Sequence, residues 1–180
     1  MRAFLALSLP DHVTETLSAL VSKLPVGRHV PADNMHLTLA FLGDEPEAVI
    51  EAAHEAMETV HTRRFDLQLH GFDTFGGRVP KVVHIGARPD PALMDLHRTI
   101  RSRLHGAGLM LPRERFVPHV TLARLPATAT PDEMQLLAGF LATHGGMSIP
   151  AFPVTSFTLF RSTLRPDGAV HDPLAHYPLV

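Results

Sequence analysis

The chain has 180 residues, 45% of them apolar, which is enough for one hydrophobic core. The absence of cysteine excludes disulfides, cysteine-bound zinc and thiol nucleophiles. A net charge of −2 at pH 7 excludes broad electrostatic coating of nucleic acid, so any RNA contact is expected to be local, at an end. No apolar run reaches membrane-spanning length, and the N-terminus leads into a strand rather than a signal peptide. A cytoplasmic monomer with no membrane partner is the resulting expectation.

In chain order, residues 3–9 read as a strand. Pro10-Asp11 opens a helix with Val13, Leu17, Leu20, Val21 and Leu24 on one face. Residues 35–42 alternate polar and apolar and are predicted as a second strand. Pro46 opens a second helix with Ile50, Ala53 and Met57 inward. Residues 65–69 alternate as a strand, and residues 82–87 are its expected partner across a Gly76-Gly77 turn. Asp90-Pro91 starts a third helix with Leu93, Leu96, Ile100 and Leu104 on one face, stopped near Gly106 and Gly108. Residues 118–125 form a further strand. Thr130-Pro131-Asp132-Glu133 has the pattern of a capping box for a fourth helix packing Leu137 and Leu141. Residues 154–160 and roughly 169–178 close the chain as strands. Strand–helix–strand–helix thus occurs twice, which predicts an α+β duplication. With no linker or low-complexity tract, residues 1–180 read as a single domain.

One string recurs inside this repeat. It is His36-Leu37-Thr38-Leu39 in the first half and His119-Val120-Thr121-Leu122 in the second. On a strand, residues i and i+2 share a face. Each copy therefore displays an imidazole beside a hydroxyl, backed by aliphatic side chains.

Two such pairs facing one another have the parts for phosphodiester displacement. Histidine exchanges protons near neutrality, so one imidazole can activate the attacking oxygen while the other protonates the leaving oxygen. The hydroxyls of Thr38 and Thr121 can hold the non-bridging phosphate oxygens. The rate is expected to pass through a maximum with pH, with apparent pKa values, belonging to the coupled pair, within about 1–2 units of the ordinary histidine value of about 6.5. The two motifs are chemically equivalent, so acid and base cannot be told apart from these residues.

These strings and their flanks resemble the two-histidine (2H) phosphoesterases. Among them, the chain is similar to the bacterial and archaeal RNA 2′,3′-cyclic phosphodiesterases, also called 2′-5′ RNA ligases. The resemblance covers nearly the whole chain. It runs from Arg2-Ala3-Phe4-Leu5-Ala6-Leu7 and Leu9-Pro10, through Val30-Pro31-Ala32-Asp33-Asn34-Met35 and Ala40-Phe41-Leu42-Gly43. It continues in Phe116-Val117-Pro118 and Ala123-Arg124, and ends at Leu159-Phe160-Arg161-Ser162 and Pro173-Leu174. The resemblance implies two pseudo-symmetric lobes, with antiparallel sheets lining a central cleft and helices outside. It implies that His36 is the proton donor to the leaving 3′-oxygen and His119 the proton acceptor that activates water. The implied reaction opens RNA 2′,3′-cyclic ends to 2′-phosphomonoesters without cofactor or metal, on RNA ends or small cyclic nucleotides. Two positions depart from the family pattern: His29 stands where an aromatic residue is common, and Val117 where a basic residue or histidine is common.

Two further residues belong to the candidate site. Arg124 follows Thr121 by three positions, so strict alternation points it away from the motif face, whereas the resemblance places it in substrate contact. Phe41 stands likewise three beyond Thr38, and reads as core or as a platform for a nucleobase. The other eleven histidines lack the i, i+4 spacing of a helical zinc site, and no His-Glu-x-x-His string occurs. No glycine-rich nucleotide loop is present either, so any ligation would be the reverse of phosphodiester opening, driven by the cyclic phosphate. Two alternatives stay open: action on another small cyclic diester such as a cyclic ADP-ribose phosphate, and a non-catalytic module that binds RNA ends.

Overall fold

The computed structural model describes residues 1–166 and 168–180. The elements are β1 (Arg2–Ser8), α1 (Asp11–Val21), β2 (Arg28–His29), a 3-10 turn at Ala32–Asn34, β3 (His36–Asp44) and α2 (Glu47–Glu58). Then come β4 (Phe65–Leu67), β5 (Leu69–Phe75), β6 (Val82–Ala87), α3 (Pro91–Gly106), β7 (His119–Arg124), α4 (Pro131–His144), β8 (Phe152–Val154), β9 (Ser156–Arg165) and β10 (Gly168–Pro178). The class is α+β, as the alternation of periods predicts. Among the described residues no helix is long and apolar enough to cross a membrane.

Helix starts follow local chemistry. Asp90 caps α3 by accepting from the Ala92 and Leu93 amides at 2.8 and 3.2 Å, and Pro91 supplies a first residue that needs no donor. At α4 the Thr130 hydroxyl accepts from the Glu133 amide, and the Glu133 carboxylate accepts from the Thr130 amide, so the capping box is complete. The apolar faces predicted for α1, α2 and α3 are all buried. In α4 the buried pair is Leu137 and Phe140, and Leu141 is only half-buried. Phe140 is drawn in by an edge-to-face contact with Phe72 at 5.4 Å.

The strand order is β10-β9-β1-β3-β7-β6-β5, antiparallel at each pairing, with β2 added on β7. One expected pairing is wrong. Residues 82–87 pair with Leu69–Phe75, and Phe65–Leu67 pairs instead with Phe152–Val154 in a separate two-stranded sheet. Gln68 separates β4 from β5, so a run that alternates without interruption in the sequence serves two sheets.

The two motif strands lie at the middle of the large sheet. They meet in register only at Leu37 and Val120, both fully buried. Beyond that point β2 takes over the edge of β7, pairing Arg28 with Arg124 and His29 with Ala123. Gly27 makes this approach possible: its φ is +79°, and a Cβ there would fall 2.8 Å from Leu125 and 2.9 Å from the Arg124 carbonyl.

Both motif strands carry a β-bulge at the same place. On β3, Thr38 pairs with Ala6 but Ala40 pairs with Leu5, leaving Leu39 extra. On β7, Thr121 pairs with His84 but Ala123 pairs with Val83, leaving Leu122 extra. An extra residue reverses the alternation beyond it. Leu39-Ala40 and Leu122-Ala123 are accordingly buried in succession, and the next residue of each strand, Phe41 and Arg124, is exposed.

Leu37 holds the centre of the sheet, and Thr130 caps a peripheral helix. Leu37→Ala is expected to cost about 2–5 kcal/mol and Thr130→Ala about 1 kcal/mol, read as lowered midpoints in urea denaturation with an unchanged slope.

Candidate active site

The pairing of Leu37 with Val120 dictates the local arrangement. The residues flanking each member of this pair, His36 and Thr38 on β3 and His119 and Thr121 on β7, share one face of the sheet. Leu37, Leu39, Val120 and Leu122 are buried on the opposite face, while His36, Thr38, His119 and Thr121 are half-buried.

All four residues line one cavity of about 760 Å³, together with Phe41 and Arg124. The six candidate residues are thus brought together. Arg124 reaches the cavity because of the bulge at Leu122, which overrides the alternation that would turn it away. The bulge at Leu39 does the same for Phe41. Phe41 is no core residue: it is 63% exposed at the cavity, 6.0 Å from Phe4 between ring centroids.

Other lining residues come from outside the two motif strands. Arg28 and His29 arrive on β2, Arg2 and Phe4 on β1, and Arg165 and His171 on β9 and β10. The His29 imidazole is tied to the Leu24 carbonyl at 2.9 Å. The Asn34 side-chain amide donates to the Ala169 carbonyl at 2.7 Å, joining the segment before the first motif to the β9–β10 hairpin. The cavity carries Arg2, Arg28, Arg124 and Arg165, and no described carboxylate lines it. A chain of net charge −2 therefore concentrates positive charge at this one place.

The imidazoles are held from below by aromatic rings. His36 stacks on Phe4 at 4.7 Å and 28°, and Phe4, only 2% exposed, stacks in turn on Phe160 at 5.2 Å. His119 stands edge-on to Phe75 at 4.7 Å and to His84 at 5.2 Å. Each motif imidazole also hydrogen-bonds to the backbone two residues before it. His119 Nδ1 lies 2.7 Å from the Val117 carbonyl oxygen, and His36 bonds to the backbone of Asn34. A carbonyl only accepts, so Nδ1 of His119 carries a proton, and Nε2 of the neutral ring is left with a lone pair.

Burial pushes the His36 imidazole down to about 4, and His171, Arg124 and His119 push the same way, against the raising effect of the Asn34 hydrogen bond. Burial, with His119 beside it, also pushes His84 down to about 4, although Asp73 opposes the shift. His84 and His171 belong to the site's surroundings and carry no sequence signal. His84 sits across from Thr121 on β6, and His171 on β10 comes within 5.3 Å of His36 only because the chain folds back. Among the described residues no three His, Asp or Glu side chains are grouped to hold a metal ion.

The profile of the 2′-5′ RNA ligase superfamily matches residues 9–163. The RNA 2′,3′-cyclic phosphodiesterase of Thermotoga maritima is 30% identical over 95% of this chain and 91% of its own length. That of Geobacillus stearothermophilus is 29% identical over 98% of this chain, which spans only 57% of that relative's length. The crystal structure of Escherichia coli LigT in apo form superposes with a TM-score of 0.79 at 29% identity, covering 99% of this chain and 96% of that one. The same protein complexed with 3′-AMP gives 0.79 at 28% identity, covering 99% and 97%. With the profile spanning most of the chain and both motifs inside it, the chain belongs to the 2′-5′ RNA ligase superfamily, in its RNA 2′,3′-cyclic phosphodiesterase (LigT) family.

Proposed function

We propose that this protein hydrolyses RNA 2′,3′-cyclic phosphate ends to 2′-phosphomonoesters, with His36 as proton donor and His119 as proton acceptor. The observation that carries this reading is the floor of the cavity, where two imidazoles and two hydroxyls share one face beneath an arginine-lined opening. The curated relatives named as RNA 2′,3′-cyclic phosphodiesterases, and the E. coli relative crystallised with 3′-AMP, support the substrate class. We further infer that residues 1–180 form one domain of two pseudo-symmetric lobes, a reading supported by the repeated bulge and the repeated anchoring of each imidazole two residues back.

The motifs are equivalent in chemistry, but the cavity is not symmetric about them. Its walls come from β1, β2, the segment before β3 and the β9–β10 hairpin, and no described residue of β5 or β6 lines it. A nucleoside seated there lies on the His36 side, with its ribose oxygens toward His36. The assignment of His36 as donor and His119 as acceptor follows the family resemblance.

In the proposed step a water oxygen bonds to phosphorus while its proton passes to Nε2 of His119. The phosphorus–O3′ bond breaks in line with that attack, and O3′ takes the proton of His36. The phosphate stays on the 2′-oxygen. Thr38, Thr121 and Arg124 hold the non-bridging oxygens, where negative charge develops. The pair finishes with its protonation states exchanged and resets through solvent. Phe41, exposed at the cavity, is a stacking platform for the base. A ribose 5′-hydroxyl in place of water would give a 2′-5′ bond.

His36→Ala and His119→Ala are each expected to lower kcat on 2′,3′-cyclic AMP by roughly 10²–10⁴-fold with folding intact, and Thr38→Ala and Thr121→Ala to cost less, partly through KM. Steady-state kinetics checks this. Near-normal turnover in either histidine variant would remove that residue from the proton transfers.

The position of His36 near 4 generates a pH prediction. The proton of His36 is lost as pH rises, so it controls the high-pH limb of the rate profile. Bound phosphate is an anion and favours the charged imidazole, which raises its pKa. The high-pH limb of kcat, which reports the complex, is therefore expected at higher pH than that of kcat/KM, which reports the free enzyme. Both profiles should persist after exhaustive chelation. Activity abolished by chelator and restored by a divalent ion would instead indicate a metal-activated water.

A further inference from the structure

His171 is outside both motifs and has no part in the proton transfers described above, yet it occupies the same cavity. It lies on β10, in register with Ser162 of β9, at the far edge of the sheet from β7. The hairpin turns its ring back over the cavity face. There it stands edge-on to His36, with centroids 5.3 Å apart and planes at 85°, and edge-on to Phe4 at 4.9 Å and 80°. Phe4 is the ring on which His36 stacks, so three rings form one packed unit. Nδ1 of His171 is buried and has no hydrogen-bond partner among the described residues. An apolar ring would fill this space without leaving a polar nitrogen unpaired, so packing alone does not account for an imidazole here.

We propose that His171 is a positioning residue of the acid side of this site: held edge-on to His36 by the β9–β10 hairpin, it confines the two imidazoles to a single shared proton. This rests on the assignment of His36 as a group that must be protonated during turnover.

Two positive charges at about 5 Å in a half-buried site repel strongly, so a proton on one ring opposes a second proton on the other. The edge-on arrangement adds to this, because a charged ring is stabilised by the π face of a neutral partner. Asp172, next to His171 and engaged by Arg161 of β9 at 3.0 Å, is the strongest charge acting on His171 and favours its proton. Arg2 of β1 acts against a charge on His171, and Arg124 and His119 of β7 act against one on His36. Burial disfavours charge on both rings, and His171 is the strongest of the neighbouring charges acting on His36. The pair therefore takes up one proton more readily than two when a phosphate anion arrives.

Asn34 connects the geometry. Its backbone hydrogen-bonds to His36, while its side-chain amide holds the Ala169 carbonyl two residues before His171. One residue thereby sets both rings.

The test is an NMR titration of the His36 imidazole in the ligand-free protein, paired with the pH profile of kcat/KM on 2′,3′-cyclic AMP. The proteins are wild type, His171→Phe and His171→Lys. The phenylalanine keeps the ring packing and removes the charge, so the His36 midpoint is expected to rise by about half a unit or more. The high-pH limb of kcat/KM should move up with it. The lysine supplies a fixed charge and should move both down. A His36 midpoint unmoved by His171→Phe overturns the proposal, and this variant decides alone if the lysine variant does not fold. The titration does not depend on turnover. A wild type that opens no cyclic phosphate refutes the assigned function, whereas an active wild type with an unmoved His36 midpoint refutes only the role of His171.

Discussion

The site depends on one registered pair of aliphatic residues, Leu37 and Val120, at the middle of the large sheet. Both are fully buried, and both sit between the imidazole and the hydroxyl of their motif. A slip of one residue in this pairing would turn every functional side chain into the core and every aliphatic one into the cavity. Hydrophobic burial on one face therefore fixes chemistry on the other. Two imidazoles and two hydroxyls are thereby held on one sheet face, with no metal-binding cluster among the described residues. They ride on the two most central strands, with Phe4, Phe160 and Phe75 packed among them.

The repeated bulge is the second constraint. A straight strand would present Ala40 and Ala123 as the next residues on the face of His and Thr. One extra residue after each threonine brings a third side chain to the cavity, Phe41 from one motif and Arg124 from the other. The backbone geometry is the same in both halves and the chemistry is different. One copy delivers an aromatic face suited to a base, the other a guanidinium suited to a phosphate. The two halves thus share a backbone geometry and differ in the side chain it presents.

Most of the fold was legible because it rests on local rules. The faces of α1 to α3, the Thr130 capping box and the two motif strands each follow from spacing within a dozen residues. What the sequence did not disclose depends on pairing between distant segments. Residues 65–69 alternate like a single strand, yet Gln68 breaks them between two sheets, and only tertiary partners decide that. The positions of Phe41 and Arg124 required the bulges, which have no side-chain signature here. Their signal was indirect: each motif carries two successive apolar residues after its threonine, Leu39-Ala40 and Leu122-Ala123, where alternation would have one. His84 and His171 had no signal at all. Their proximity to the motif histidines arises from sheet register and hairpin curvature, and isolated histidines in strands are common on surfaces and in cores alike.

The electrostatics of the empty site follow from the same packing. Rings stacked beneath His36 bury it, and burial is the main reason it resists a proton. A site that kept both imidazoles charged would attract phosphate more strongly, but it would contain no base. A site that kept both neutral and offered no other cation would attract no anion. Here the two demands fall on different groups. The arginines around the opening provide permanent charge, because guanidinium does not titrate in this range. His36 on the floor stays available as a proton carrier, because burial disfavours its charge until an anion compensates it. On the proposed reading, the substrate's own phosphate would complete the acid by lowering the cost of a proton on His36, so that binding and protonation become one event.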